Sequence, residues 1–318
     1  MSELVQIVII ACALMCIPAQ RQQPPEIKLL TPSDAGATMI SKNGKVVAAV
    51  CKDHKLRVWS LPDAHLFQTF DVSDRQLAGA AISDDGHWVL YADYKGVVTV
   101  WDSATGRVSL QQGLDRYLLA AAFSHDSQRL AIAPGGRPVR IIDVASNRTL
   151  KDLEDIPTTT NGLAFSRDGE LIAFGDRDGL RIYSVRTGAL ISRNADSVAE
   201  PLATDFTRDG TQVLAAGGDK VVLFIQTLTG KTLRRLGRTA EVPTYLEVSP
   251  NGTELAAVTL KSDNMDLPAP VIVWELASFQ QEIEWMPPSG VLGVTWTQDG
   301  HFIAATATPD ALHLWRLR

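Results

Sequence analysis

Short apolar runs alternate with compact polar turns along almost the whole chain, from about residue 26 to the end. A polar turn that ends in Gly separates pairs of runs, as in FSRDGELIAF, FTRDGTQVLA and VSPNGTELAA. Asp-Gly and Asn-Gly between alternating apolar residues favour a tight β-hairpin, because they accept the positive φ that such a turn demands. Each segment therefore predicts two antiparallel strands, the a and b strands of a repeating unit.

The hairpin turn recurs about every 42 residues, with one longer last step, and its final residue is Gly44, Gly86, Ser127, Gly169, Gly210, Gly252 or Gly300. About fifteen residues beyond each turn lies a c strand with a bulky residue, such as Trp59, Trp101, Tyr183 or Trp315, and a d strand follows it. Four strands in ~40 to 45 residues are typical of a propeller blade. The sequence predicts an all-β, seven-bladed β-propeller of four-stranded antiparallel blades.

The last unit is one strand short, because the chain stops after the c strand LHLWRLR. The segment EIKLL, residues 26–30, precedes the first a strand and could pair with that final hairpin. Such pairing would hide the backbone groups of an open sheet edge, which otherwise promote aggregation. We therefore expect the ring to be closed by an N-terminal strand, with the propeller spanning residues 26–318.

The first residues are almost wholly apolar, with LVQIVIIACALMCIPA followed by the polar QRQQPPE. Since the apolar stretch is shorter than the ~20 residues that cross a bilayer comfortably, no stable membrane span is expected. We expect residues 1–19 to be a signal peptide or apolar leader and residues 20–25 a short linker. A cleaved leader implies a secreted or periplasmic protein. Glu3 in a region without Lys or Arg, and a lipoprotein-like box ending at Cys12, leave a lipidated form and a cytoplasmic protein as alternatives.

The period and the strand order resemble those of the WD-repeat family. The resemblance is carried by Val100-Trp101-Asp102 and its counterparts and by the S-x-D/N-G turns, and it covers residues 26–318. The resemblance is to a divergent, bacterial-type member of the family. Typical members place a Gly-His pair at the start of a blade, whereas Gly86-His87 and Gly300-His301 lie in hairpin turns here. The family's His-centred network is therefore not expected, and packing alone should hold the blades. The resemblance implies a scaffold that mediates protein-protein interaction.

The composition and charge of the chain limit the classes of partner that we expect. Apolar residues make up 45% of the chain, enough to fill a core, and the formal net charge is −6. That charge repels phosphate backbones, so nucleic acid is not an expected partner. The three cysteines form no readable disulfide pattern, and Cys51 in KVVAAVC is expected to be a buried small hydrophobe. We expect a protein partner of unknown identity, and a monomer or a member of a hetero-complex.

Motifs for catalysis are missing from the sequence: it has no G-x-S-x-G elbow, no H-E-x-x-H, no phosphate loop and no paired Cys motif. The six histidines are scattered singly, so no metal site and no cofactor are expected. The alternative function is a propeller hydrolase, lactonase or lyase with a site at the central channel. The a strands LAGAAIS and LLAAAFS predict a packed centre instead, although Asp205 and Glu247 are polar exceptions.

The candidate binding residues lie in the b–c and d–a connections, which family topology places on one face of the disc. Arg and Tyr are enriched at binding hot spots, and the d–a connections carry Arg75, Arg116, Tyr117 and Arg238. The sixth unit has an inserted b–c loop, residues 260–271, with the candidates Asp263, Met265, Asp266 and Leu267. Extra length on a rigid scaffold often carries function, but a tolerated insertion is an equal alternative.

Overall fold

The computed structural model describes residues 27–31, 34–73, 76–153, 160–196, 201–237, 239–260 and 269–318. In this part of the chain there are twenty-eight strands, which form seven four-stranded antiparallel sheets. Six sheets each contain four consecutive strands, and the seventh combines the first strand with the last three. The prediction of a seven-bladed all-β propeller is confirmed.

The first four blades run from a to d in chain order. Blade 1 contains β2 (Ala35–Ile40), β3 (Val46–Cys51), β4 (Lys55–Ser60) and β5 (Leu66–Asp71). Blade 2 contains β6 (Leu77–Ile82), β7 (Trp88–Asp93), β8 (Val97–Asp102) and β9 (Val108–Gly113). Blade 3 contains β10 (Leu118–Phe123), β11 (Arg129–Pro134), β12 (Val139–Asp143) and β13 (Arg148–Leu153). Blade 4 contains β14 (Asn161–Phe165), β15 (Leu171–Asp176), β16 (Gly179–Ser184) and β17 (Leu190–Asn194).

The remaining blades complete the ring. Blade 5 contains β18 (Pro201–Phe206), β19 (Gln212–Gly217), β20 (Val222–Gln226) and β21 (Thr232–Leu236). Blade 6 contains β22 (Val242–Val248), β23 (Glu254–Leu260), β24 (Val271–Glu275) and β25 (Gln281–Trp285). Blade 7 contains β26 (Val291–Trp296), β27 (Phe302–Thr308), β28 (Ala311–Arg316) and β1 (Ile27–Leu30). No helix in the residues so described is long and apolar enough to cross a membrane.

The ring is closed by the N-terminal strand, as the sequence predicted. β1 pairs antiparallel with β28, with Ile27 opposite Leu314 and Leu30 opposite Ala311. Leu29 is buried in an apolar cluster that joins blade 7 to blade 1 and also contains Cys51. Blade 7 is thus built from both ends of the described chain, and its outer edge has a backbone partner.

The bulky c-strand residues pack between blades. Trp101 of blade 2 stacks on Phe70 in the d strand of blade 1, with ring centroids 4.8 Å apart. Trp315 of blade 7 lies 5.6 Å from Trp285 in the d strand of blade 6. These aromatic contacts bury large apolar areas at the blade interfaces, which explains why the repeat keeps a bulky residue at this position.

Hydrogen bonds also join neighbouring blades, so the expectation that packing alone holds them is wrong. Ser109 Oγ in blade 2 donates to the Val144 carbonyl of blade 3 over 2.6 Å. Ser192 Oγ in blade 4 donates to the Thr227 carbonyl of blade 5 over 2.5 Å. Because short polar side chains of d strands reach carbonyls next to the following blade's c–d turn, no histidine is needed for this link.

Candidate functional site

Each a–b turn is held by the hydroxyl that opens it. In blade 4, Ser166 Oγ donates to Asp168 Oδ1 over 2.6 Å and accepts the N–H of Leu171 over 2.9 Å. The same pair of bonds is made by Ser41, Ser83, Ser124, Thr207, Ser249 and Thr297. The hydrogen bond from Ser166 and the N–H of Glu170 lower the pKa of Asp168. A repeated Ser or Thr at this place therefore fixes the direction of the residue that follows it.

The residue that follows each of these Ser or Thr residues lies at the mouth of the central channel. One such residue comes from every blade, and all seven line a single cavity of about 280 Å³. This mouth ring consists of Lys42, Asp84, His125, Arg167, Arg208, Pro250 and Gln298. It lies on the a–b face of the disc, opposite the face formed by the b–c and d–a connections, because the a strands run from one face to the other.

The channel behind the mouth ring is open, not filled. A cavity of about 450 Å³ runs between the a strands and is lined by Ala80, Ala121, Ala164 and Gly293 among other residues. The expected packed centre is therefore wrong: the small side chains that the sequence places here allow the backbones to approach but leave the axis empty. Gly293 shows how close they come, since a Cβ there would lie 2.0 Å from the Thr38 carbonyl oxygen.

Charged side chains separate the channel from the mouth. Lys42 Nζ lies 2.9 Å from Glu247 Oε1, and His125 Nδ1 lies 2.7 Å from Asp84 Oδ2. The hydroxyl of Tyr245 donates to Glu247 Oε2 over 2.8 Å. These groups line the channel, and all but Tyr245 line the mouth cavity too. The two polar exceptions in the a strands thus belong to one charged cluster at the inner end of the mouth.

Asp205 and Glu247 also bridge blades through backbone donors. Asp205 Oδ2 accepts the N–H of Val248 over 2.7 Å, which links blade 5 to blade 6. Glu247 Oε2 accepts the N–H of Trp296 over 3.0 Å, which links blade 6 to blade 7. A buried carboxylate is tolerated when it accepts such bonds and has a nearby cation, here Lys42.

The protonation of the cluster follows from burial and charge. Burial raises the pKa of Asp205 to about 6, and the Glu247 carboxylate adds to the rise, while Lys42 and the Val248 N–H oppose it. Burial by itself lowers the pKa of Lys42, but Glu247, Asp84 and Asp205 outweigh it and the pKa is raised. Burial and Glu247 raise the pKa of the Tyr245 phenol well above its usual value. Lys42 is therefore charged and Tyr245 is a neutral donor at neutral pH.

The charged groups of the cluster are suited to the recognition of a charged ligand. No group of three or more His, Cys, Asp or Glu in the described ranges is placed to hold a metal ion. His125 contacts Asp84 through Nδ1, and within the same ranges no serine or cysteine is hydrogen-bonded to its ring.

The predicted site residue Tyr117 lies on the b–c face beside an aromatic residue that sequence reasoning missed. Tyr117 is 46% exposed and Tyr94 is 57% exposed, and their rings stack with centroids 6.3 Å apart. Arg116 is exposed next to them. The motif DYKG in the b–c turn of blade 2 was the available signal for Tyr94. Six further predicted residues lie outside the described residues: Arg75, Arg238, Asp263, Met265, Asp266 and Leu267.

Several known proteins are similar in sequence to parts of the chain. No protein-family model matches the chain. The autophagy-related protein 16 of Arabidopsis thaliana is 24% identical over 197 residues, which cover 61% of this chain and 38% of that protein. The WD repeat-containing protein SL1-17 of Schistosoma mansoni is 23% identical over 154 residues, covering 48% of this chain and 51% of the relative. The chain thus spans about half or less of the length of these relatives.

Two further similarities concern a bacterial protein and a solved structure. An uncharacterized WD repeat-containing protein of Synechocystis is 32% identical over 137 residues, covering 42% of this chain and 39% of its own length. The β-propeller domain of Cps50 (Swd1) from Myceliophteria thermophila has a TM-score of 0.75 at 14% identity, over 92% of this chain and 100% of that one. The chain is a seven-bladed β-propeller. Its repeat and its similarity to WD repeat-containing proteins support a place in the WD-repeat propeller family.

Proposed function

We propose that the protein is a non-catalytic scaffold that binds a protein partner on the b–c face of the disc. The observation that carries the proposal is the exposed, stacked pair of Tyr94 and Tyr117 beside Arg116. Tyrosine offers a large contact area at a small cost in side-chain entropy, and Tyr and Arg are the residue types enriched in hot spots. The WD-repeat relatives support an interaction role of this general kind.

Backbone hydrogen bonds hold the two connections that carry the tyrosines. The N–H of Tyr94 donates to the Gln76 carbonyl over 2.9 Å, and the Tyr117 carbonyl accepts the N–H of Gly135 over 3.0 Å. Gly96 lies so close to the d–a connection that a Cβ there would be 2.0 Å from the Arg116 carbonyl oxygen. A partner would therefore meet a preformed surface, which reduces the entropy cost of binding.

The charges around the tyrosines favour an acidic partner. Three basic residues near the tyrosines are exposed: Lys95 in the b–c turn of blade 2, Arg116 in the d–a connection to blade 3, and Arg137 in the b–c turn of blade 3. Among the described residues of these connections Asp115 is the exposed acid, and it lies 4.0 Å from Arg137. We propose that the occupant is a protein segment with an apolar residue for the tyrosines and Asp or Glu on either side of it.

The absence of a catalytic role is part of the proposal. A hydrolase, lactonase or lyase would need an activated nucleophile or base at the channel. In the described ranges His125 is paired with Asp84, Lys42 with Glu247, and the Tyr245 phenol with Glu247. No serine or cysteine in these ranges is hydrogen-bonded to the His125 ring to serve as a nucleophile, which supports binding over catalysis.

Quantitative affinity capture of the full chain from its native cells tests the proposal. The double variant Tyr94→Ser with Tyr117→Ser should reduce recovery of the specific partner by at least about tenfold, because two hot-spot contacts are removed. Leu228→Ser is the matched control, because Leu228 is 72% exposed and lies in a c–d turn on the opposite face. Equal recovery with the double variant would refute this face as the interface, and the absence of any specific partner would refute the scaffold role.

A further inference from the structure

The mouth ring on the a–b face encloses a second site, separate from the tyrosines. Its cavity of about 280 Å³ is large enough for a small organic molecule and is lined by one side chain from every blade. Four of the seven side chains are basic types, namely Lys42, His125, Arg167 and Arg208. The cavity is therefore strongly polar. What the cavity can bind depends on which of its charged groups already have a partner.

Two of the basic side chains have no partner among the residues that the structure describes. Lys42 is held by Glu247, and His125 is held by Asp84. Arg167 and Arg208 are exposed, and neither makes a hydrogen bond or an ion pair with any residue in the described ranges. They come from the neighbouring blades 4 and 5 and face the same cavity. Two guanidinium groups with free donors in one cavity form a receptor for a carboxylate.

Carboxylates lie deeper in the same cavity. Asp205 and Glu247 are on the a strands β18 and β22, below the turns that carry the arginines. Asp84 lines the same cavity, and its lining lysine, Lys42, is already paired with Glu247. Asp205 lies near the end of β18, and Arg208 lies in the turn that follows this strand. The cavity thus has a cationic rim, formed by Arg167 and Arg208, above a floor that contains Asp205.

We propose that the mouth ring binds a small zwitterion of the amino-acid type, with its carboxylate at Arg167 and Arg208 and its ammonium group over Asp205. A multiply charged anion fits less well, because the floor would repel it. A simple amine fits less well, because it would leave both guanidinium groups without a partner. A zwitterion satisfies both charged layers at once, and the site lies on the face opposite Tyr94 and Tyr117.

Isothermal titration calorimetry on the full chain tests the proposal with ω-amino acids of increasing length, from glycine to 6-aminohexanoate. Each is compared with the carboxylic acid and the amine of the same length, such as butanoate and butylamine for 4-aminobutanoate. The best zwitterion should bind at least about tenfold more tightly than either single-charge analogue, since it makes both sets of charge-assisted bonds. The length that binds best reports the distance from rim to floor.

Variants connect the signal to the mouth ring. Arg167→Gln and Arg208→Gln should each weaken binding about tenfold, by loss of one charge-assisted contact. Arg186→Gln is the matched control, because Arg186 is an exposed arginine in a c–d turn on the same face but outside the cavity. Saturable binding of butanoate as tight as that of the zwitterion would overturn the proposal, as would equal loss in all three variants or no saturable binding of any zwitterion. Partner capture through the tyrosines is measured separately, so either proposal can fail alone.

Discussion

At the residue scale, all seven a–b turns share one conformational requirement. The last residue of every turn has a positive φ, from +59° at Ser127 to +89° at Gly300. Glycine takes this conformation without steric cost, and Ser127 takes it without being glycine. Ser127 Oγ accepts the N–H of Asp85 in blade 2 over 3.3 Å, so the exception adds a contact between blades.

Substitutions at Gly86 and Gly210 distinguish the energetic cost of a positive φ from the cost of steric crowding. Both have a positive φ, +75° and +68°, but a Cβ on Gly86 would lie 2.6 Å from Val46 Cγ2 of blade 1, whereas nothing lies within 4 Å of one on Gly210. We expect Gly210→Ala to lower the free energy of unfolding by about 1 kcal/mol, through the left-handed backbone. Gly86→Ala should lower it by at least about 1 kcal/mol more, through overpacking.

Urea denaturation of the two glycine variants measures this difference. The comparison is internally controlled, because both residues occupy the same place in equivalent turns. Equal destabilisation by the two substitutions would show that blades 1 and 2 relax around the added methyl group, contrary to the close packing described above.

Asp205 gives the fold an unusual dependence on pH. Its folded pKa of about 6 lies above the ordinary value of 3.8. Between these two values the folded protein binds a proton that the unfolded chain does not, so the free energy of unfolding rises as pH falls through this window. We expect the wild type to gain stability relative to Asp205→Asn between pH 7.5 and about pH 5.

The difference between the two proteins is the quantity to measure, by urea midpoints at several pH values. Carboxylates in the turns, such as Asp168 and Asp209, have lowered pKa values and contribute with the opposite sign at lower pH. They are present in both proteins and cancel in the difference. Parallel stability curves for wild type and Asp205→Asn would contradict the raised pKa.

At the scale of the elements, β1 is the strand on which closure depends. Successive side chains of a strand point to opposite sides, and β1 shows this clearly: Leu29 is 1% exposed and Leu30 is 71% exposed. Leu29 contacts the apolar cluster between blades 7 and 1. The last blade is therefore held by packing as well as by the backbone ladder to β28.

Leu29→Ala and Leu30→Ala form a matched pair on this strand. We expect Leu29→Ala to lower the free energy of unfolding by about 2 to 4 kcal/mol, because it leaves a cavity in the cluster. Leu30→Ala should change it by less than about 0.5 kcal/mol, because Leu30 is on the surface. Thermal or urea unfolding distinguishes them, and a small effect of both substitutions would mean that β1 does not lock the ring.

The blades and the closing strand could be predicted from the sequence, because both depend on local signals. Turn residues, alternating apolar runs and a period near 42 residues are properties of single segments. The mouth ring and the pair of Tyr94 and Tyr117 depend instead on which side chains meet across different blades. The residue after each turn hydroxyl faces the axis only once the ring is closed, and Lys42 and Glu247 meet although they are far apart in sequence.

At the scale of the whole molecule, the two faces of the disc have different surfaces. The b–c face carries exposed aromatic rings, Tyr94 and Tyr117, with basic neighbours. The a–b face carries the polar mouth ring around an open channel. A ring with two distinct faces can hold a protein on one side and a small molecule on the other, since none of the described residues named for the tyrosine surface lines the mouth cavity.

Site-specific photo-crosslinking in the native cells is the most direct test of the proposed interface. A photoreactive benzoylphenylalanine replaces Tyr117 in one variant and Leu228, exposed on the opposite face, in the other. The account predicts a discrete adduct with one protein from position 117 and none from position 228. The absence of an adduct at position 117, or the same adduct at both positions, would contradict a scaffold that binds through the b–c face.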